Sequence, residues 1–177
     1  MTETTDRDLQ SHIRDIPDFP KPGILFRDIT PLLADPAALC EAERQLAEHL
    51  RHQAIIVVAA GEGSGFIFAA PLALELGVGF VPVRKPGKLQ CDTHAWEYEL
   101  EYGTDKLEVH IDGIREHAKV LLVDDLLATG GTMEACANLV TRAGADVAAC
   151  DILIEQQSLG GRERLAPHAC FSVIQYD

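Results

Sequence analysis

Val120-Leu121-Leu122-Val123 is an unbroken apolar run that ends on two adjacent carboxylates, Asp124 and Asp125. A strand with no polar alternation is covered on both faces, which places it inside a parallel sheet with helices on either side. Leu126-Leu127-Ala128-Thr129-Gly130-Gly131-Thr132 follows, and then a helical pattern from Met133 to Ala143, stopped by Gly144. The order is therefore strand, carboxylates, small-residue loop, helix. At the carboxyl edge of a parallel sheet this is a ligand position. Thr129, Gly130, Gly131 and Thr132 can present successive N–H groups and hydroxyls at a helix N-terminus, a phosphate cradle. Asp124 and Asp125 beside it can accept hydrogen bonds from a ribose diol. A ribose 5-phosphate satisfies both halves at once.

Other readings of this segment fare worse. A nucleotide triphosphatase needs GxxxxGK[ST], which the chain lacks. A dinucleotide site needs GxGxxG in the first strand–helix turn, and it is missing. A purely structural turn has no use for two aspartates at a strand end unless they are solvated or liganded.

The rest of the chain alternates helices and strands. Asp35-Pro36 opens a helical pattern to about His52, with Leu39, Leu46 and Leu50 on its apolar positions. Ala54–Ala60 is a short buried strand, broken by Gly61–Gly65. Phe66–Leu76 is an apolar helix ended by Gly77, and Val78–Val83 is a second buried strand. Arg84–Trp96 is polar and reads as a long loop. Two alternating runs, Tyr98–Tyr102 and Leu107–Ile111, flank Gly103-Thr104-Asp105 and predict an antiparallel hairpin. Asp146–Glu155 and Cys170–Tyr176 are further strands. The expected architecture is α/β, with a central, mostly parallel sheet flanked by helices. At 177 residues it fits a single domain, 1–177.

Charge and cysteines limit the function. The net charge is −13, which disfavours a nucleic-acid partner, because phosphates need a basic face. A polyanionic small substrate then requires a local basic cluster, backbone N–H groups or a metal ion. Arg84, Lys85 and Lys88 are such a cluster. No apolar run reaches the ~18 residues of a membrane span, and Met1–Ser11 lacks a signal core. The five cysteines are odd in number with no CxxC spacing, so a reducing, cytoplasmic setting is expected. Cys91 is expected to be exposed and the other four buried. His49 and His52 share a helix face but lack HExxH, and are expected to be solvated.

Val120–Thr132 resembles the phosphoribosyl pyrophosphate signature of type I phosphoribosyltransferases. The wider chain, from about Ile16 to Tyr176, is similar to the adenine phosphoribosyltransferase family. Pro17-Asp18-Phe19-Pro20 with Pro22–Ile29 matches that family's N-terminal base-binding segment, Arg84–Leu89 its basic loop, and Leu100-Glu101-Tyr102-Gly103 its catalytic hairpin. The resemblance implies the type I fold, with a small N-terminal hood over residues 1–34 and a flexible loop and hairpin over 84–111. It implies purine salvage: transfer of the phosphoribosyl group to adenine, giving AMP and pyrophosphate, by a homodimer that needs Mg²⁺.

The same resemblance assigns roles. Glu101 handles the purine proton, and Tyr102 belongs to the same closing loop. Asp124, Asp125, Ala128, Thr129, Gly130, Gly131 and Thr132 hold the ribose and 5-phosphate. Glu62, Gly63, Ser64, Arg84, Lys85 and Lys88 surround the pyrophosphate. Leu25, Phe26, Arg27 and Leu126 hold adenine. No protein ligand holds the metal directly; Mg²⁺ arrives on the substrate, with Asp124 reaching it through water. Periodicity alone leaves Glu101 open as an ordinary strand-surface residue, since Glu97 and Glu99 share its alternation.

One motif departs from the family. In Gly61-Glu62-Gly63-Ser64-Gly65-Phe66, Ser64 stands where the family carries arginine. Serine supplies neither the charge nor the fork of a guanidinium. Gln90-Cys91 also replaces the usual proline after Lys88-Leu89. Weaker pyrophosphate handling is the expected consequence. Transfer to another purine base, or a regulator that binds phosphoribosyl pyrophosphate or AMP without turnover, are the alternatives.

Overall fold

The computed structural model describes residues 8–50, 53–99 and 104–177. The chain divides into two compact units, Met1–Gln45 and Leu46–Asp177.

In the first unit, β1 (Arg14–Pro17) and β2 (Leu25–Asp28) pair antiparallel, with Ile16 opposite Phe26. Asp18 holds their connection by accepting from the Gly23 N–H at 2.7 Å. Phe19 meets Phe26 edge-on at 5.2 Å. Asp28 accepts from the backbone and hydroxyl of Thr30 at 2.9 and 2.8 Å. These bonds start α1 (Thr30–Ala34) and hold the Asp28 carboxyl below its ordinary range. Asp35 caps α2 (Pro36–Glu48), accepting from Ala37 and Ala38 at 2.8 and 3.1 Å. The helix stops earlier than its apolar pattern suggests. Leu50 lies past its end yet is fully buried, because the chain turns inward there. His52 lies outside the described residues.

The second unit runs β3 (Val57–Gly61), α3 (Gly65–Leu76), β4 (Gly79–Val83), β5 (Thr93–Glu99), β6 (Thr104–His110), β7 (Lys119–Leu127), α4 (Gly131–Arg142), β8 (Asp146–Gln156), α5 (Gly161–Arg164) and β9 (Cys170–Tyr176). Five strands form one sheet in the order β4-β3-β7-β8-β9, every pair parallel. Alternation sorts the two faces. Val57, Ala59, Val81, Val83, Val120 and Leu122 cluster with Met133, Leu139 and Val140 of α4 and with Leu107 and Val109 of the hairpin. The intervening residues face α3, whose Phe68 and Leu72 are fully buried. Each such aliphatic or aromatic side chain contributes roughly 1.5–3 kcal/mol on burial, which explains the unbroken apolar runs.

The β5–β6 hairpin forms, with Trp96 opposite Leu107, but Thr104 and Asp105, expected in its turn, are paired within β6 opposite Glu99 and Tyr98, and residues 100–103 lie outside the described residues. Its first strand starts at Thr93, so the irregular stretch ends at Asp92 rather than Trp96. Thr93 to Trp96 are all half-buried, and a strand covered equally on both faces shows no alternation. Cys40 is exposed, contrary to expectation; Cys91 is exposed, Cys136 and Cys150 are buried, and Cys170 is intermediate. His49 is likewise not simply solvated. Its ring stacks on Phe171 at 3.9 Å, and its Nε2 lies 3.2 Å from the fully buried Asp151. No helix among the described residues is long and apolar enough to cross a membrane.

Candidate active site

The sheet order contains a topological switch. From β3 the chain crosses through α3 to β4 on one side, whereas from β7 it crosses through α4 to β8 on the other. Such folds bind ligands at the carboxyl ends of the strands that flank the switch, here β3 and β7. Pairing of β3 with β7 ends at Ala60 and Val123. Pairing with β8 continues through Asp124, Leu126 and Leu127. The strand thus runs four residues beyond the apolar run that marks it in the sequence. Asp124 and Asp125 lie on a stretch held along one edge only.

Gly65, the first residue of α3, closes against this stretch. A Cβ built on it would stand 2.8 Å from Asp124 Oδ1 and 3.2 Å from the Val123 carbonyl. A larger residue here would push the Asp124 carboxylate aside. The Asp125 N–H donates to Asp124 Oδ1 at 3.0 Å, and the Ser64 side chain lies close enough to the Asp125 carboxyl to favour its charged form. Burial pushes the Asp124 carboxyl well above its ordinary value, and the neighbouring charge of Asp125 adds to this. Burial raises Asp125 as well, opposed by Asp124 and Ser64 beside it. Cations or hydroxyl donors from a ligand would relieve both.

The phosphate cradle follows. Gly130 adopts φ 79°, and its carbonyl accepts the Glu134 N–H at 2.9 Å, so α4 starts with the N–H groups of Gly131 and Thr132 outside its own ladder. Tyr98 packs with Met133 and Cys136 of α4, and burial pushes its hydroxyl above its usual range, opposed by the neighbouring Thr132. Opposite Tyr98 on the hairpin, the Asp105 carboxylate lies 3.1 Å from Lys85 Nζ. The backbone of Lys106 and the Lys85 ammonium hold Asp105 below the usual carboxylate range. The Lys85–Asp105 pair thus ties the basic segment to the hairpin, and Tyr98 packs the hairpin on α4. Sequence alone does not single out Tyr98 and Asp105; the alternation of Tyr98 with Leu100 and Tyr102 is the available signal.

The turn after β3 receives the basic segment. Glu62 accepts from Arg84 Nε at 3.2 Å and from the Lys85 N–H at 3.1 Å. Arg84 is further fixed by backbone bonds to Glu108 of 2.8 and 2.7 Å. Of the residues assigned to pyrophosphate, Glu62, Arg84 and Lys85 are thus joined directly, Ser64 lies beside Asp125, and Lys88 is exposed. Leu25, Phe26 and Arg27 lie on β2 in the first unit, and Leu126 on β7 in the second. Leu25 and Phe26 are exposed, an available apolar surface beside Phe19 and Ile24. Arg27 Nη1 bonds Asp15. Glu101 and Tyr102 lie outside the described residues, between the paired Glu99 and Thr104.

Residues 28–176 match the model of the phosphoribosyl transferase domain. Over 169 residues the chain is 56% identical to an adenine phosphoribosyltransferase from Rhodopirellula baltica, covering 96% of this chain and 82% of that one. The chain belongs to the adenine phosphoribosyltransferase family. The crystal structure of adenine phosphoribosyltransferase from Thermoanaerobacter pseudethanolicus superposes with a TM-score of 0.94 at 50% identity, covering 97% of this chain and all of that one. APRTase from Giardia lamblia, complexed with 9-deazaadenine, gives 0.91 at 37% identity, with 98% of each chain covered. The parallel sheet flanked by helices is the type I phosphoribosyltransferase fold that the sequence leads one to expect.

Proposed function

We infer that this protein transfers the phosphoribosyl group of phosphoribosyl pyrophosphate to adenine, giving AMP and pyrophosphate, and so serves purine salvage. The observation that carries this is the Asp124–Thr132 segment, open along one edge at the sheet's switch point, in a chain whose relatives are adenine phosphoribosyltransferases. An assay of AMP formation from adenine, phosphoribosyl pyrophosphate and Mg²⁺ tests it. Hypoxanthine, guanine and xanthine supplied in place of adenine should give at most traces of nucleotide. Failure with adenine, or faster turnover of a 6-oxopurine, would overturn the reading.

The 5-phosphate sits on Ala128, Thr129, Gly130, Gly131 and Thr132, where free N–H groups and the start of α4 favour an anion. Asp124 and Asp125 accept from the ribose hydroxyls, bonds strengthened by the carboxylate charge. Leu25 and Phe26 offer apolar surface to adenine, and backbone groups around Arg27 read its edge. A 6-oxopurine reverses the donor pattern there and leaves buried groups unpaired. Glu62, Gly63, Ser64, Arg84, Lys85 and Lys88 line the pyrophosphate position, where charge develops as the bond to C1 breaks. Closure of the irregular stretch between Arg84 and Thr93 excludes water from that centre. Glu101 manages the purine proton and Tyr102 closes beside it.

The donor set fits Mg²⁺ as a cation carried in on the pyrophosphate. No group of three or more metal-ligating side chains exists among the described residues, and Mg²⁺ is typically held by one or two carboxylates plus substrate oxygens. Asp124 would meet it through water. When bound, it neutralises charge on the leaving pyrophosphate. The five free cysteines fit a reducing cytoplasm.

Ser64 sets a specific expectation. Serine carries no charge, so the turn offers pyrophosphate backbone N–H groups and no fixed cation of its own. A charged hydrogen bond contributes ~1.5–3 kcal/mol, equivalent to roughly 10- to 150-fold. Ser64→Arg should therefore speed pyrophosphorolysis of AMP by about that factor. An unchanged rate in that variant would remove the idea.

A homodimer completes the proposal. Helix α3 is apolar nearly all round, and its outward face presents Ile67, Pro71 and Leu74, the last 82% exposed. An isolated helix would carry polar residues there. Introducing Asp at Ile67 and Leu74 together should shift sedimentation from dimer to monomer. A wild-type chain that sediments as a monomer at micromolar concentration would refute the assembly.

A further inference from the structure

The loop that carries the 5-phosphate site does not stand alone. The turn Gly160–Gly161 presses against it from the C-terminal side. A Cβ built on Gly130 would stand 2.8 Å from the Gly161 carbonyl oxygen and 3.2 Å from its Cα. One built on Gly161 would collide with the Ala128 carbonyl oxygen and stand 2.9 Å from Leu127. Two glycines in van der Waals contact, one on each segment, fix how the Ala128–Gly130 backbone is bent. At the end of α5, the Arg164 guanidinium flanks Gly131 and donates to Glu134 at 2.7 Å. The turn therefore touches the cradle at Ala128, Gly130 and Gly131.

Arg162 ties the turn to the sheet. Arg162, next to Gly161, donates from Nε to Glu155 at 2.8 Å and from Nη1 to the Cys170 carbonyl at 2.6 Å. Its Nη2 donates to Ser172 Oγ at 2.8 Å and also to Glu155. Ser172 in turn bonds Glu155, and Gln175 donates to Ser172 at 3.2 Å. Glu155 on β8 and Ser172 on β9 are both buried polar groups. The guanidinium holds the Glu155 carboxyl below its usual range. A planar fork with four acceptors has one geometry, whereas an ammonium would satisfy it only in part. The sheet edge thus dictates where Gly161 sits, and Gly161 dictates the shape of the loop.

We propose that Arg162 is a positioning residue for the 5-phosphate site, acting through the Gly160–Gly161 turn on the Ala128–Gly130 backbone. Arg162 touches no substrate. Its effect is to keep the cradle preorganised, so that binding phosphoribosyl pyrophosphate does not require the loop to be bent anew. The inference rests on the assignment of Ala128–Thr132 to the 5-phosphate.

Arg162→Lys tests it, with kcat and both KM values measured alongside the melting temperature. The loss of a bidentate charged pair predicts that the KM for phosphoribosyl pyrophosphate rises by about 10-fold or more, and that for adenine stays within about twofold. Inorganic phosphate should weaken as a competitor of phosphoribosyl pyrophosphate by a similar factor. Equal changes in both KM values, or a lower melting temperature with both unchanged, would overturn the proposal. Should Arg162→Lys fail to fold, Gly161→Ala carries the same expectation, because its methyl displaces the Ala128 carbonyl directly. A parallel Gly130→Ala variant separates the two levels. If it leaves the KM for phosphoribosyl pyrophosphate unchanged, the cradle assignment fails. If it raises that KM while Arg162→Lys and Gly161→Ala do not, the positioning role alone fails.

Discussion

The double variant Asp124→Asn, Asp125→Asn should lose turnover by about 10²–10⁴-fold while keeping its fold, since two charged hydrogen bonds to the ribose diol contribute ~1.5–3 kcal/mol each. The structure makes the fold half of this expectation specific. Asp124 is bonded by the Asp125 N–H and packed on Gly65, and an asparagine has the same shape. Burial raises both carboxyls above their ordinary value of 3.8. A carboxyl raised on folding stabilises the native state fully below that value, and the contribution is lost as pH rises through the elevated folded one. Asparagine carries no such loss. The melting temperature of the variant should therefore equal or exceed that of the wild type at neutral pH, and should change less as pH rises above 3.8. Calorimetry across that range, with an AMP-formation assay at neutral pH, checks both halves. Robust turnover in the variant would be fatal to the site assignment.

This opposition between stability and function explains why Val120–Thr132 is legible in the amino-acid sequence alone. The chain places two mutually repelling, poorly solvated carboxylates where packing alone would choose apolar residues, and only a ligand makes sense of them. The sheet is legible for a related reason. Strands buried on both faces leave unbroken runs such as Val120–Val123, and Cys170–Tyr176 appears with the same bounds in sequence and structure. What stays hidden is long-range. Nothing local to Arg162 announces that its partners are Glu155 and Ser172 on two neighbouring strands. Nothing local to Gly161 announces the loop it supports. The half-buried start of β5 escapes notice because alternation needs one wet face, and Thr93–Trp96 has none. His49 resembles a solvated helix residue because Phe171 and Asp151 lie far along the chain.

Glu101→Gln should lower kcat by about 10²–10⁴-fold, the usual contribution of a positioned acid–base group, with both KM values within about threefold of wild type. Glu101 lies outside the described residues, and its role is carried over from the family hairpin Leu100-Glu101-Tyr102-Gly103. What the structure adds is the attachment of that hairpin. Tyr98 packs on α4, and Asp105 opposite it pairs with Lys85, so the strand leading to Glu101 is attached to the start of the phosphate helix and to the basic segment. The competing reading, that Glu101 is one more solvent-facing glutamate, makes a different prediction. It would make Glu101→Gln equivalent to Glu97→Gln, whose side chain is exposed and opposite Lys106. Glu97→Gln should leave kcat within about twofold, as surface substitutions generally do. A large kcat loss confined to the Glu101 variant, with loss of the pH limb of kcat that a titrating carboxylate imposes, distinguishes an acid–base group from a strand surface. Equal, small effects in the two variants would return Glu101 to the surface and leave proton transfer to another group.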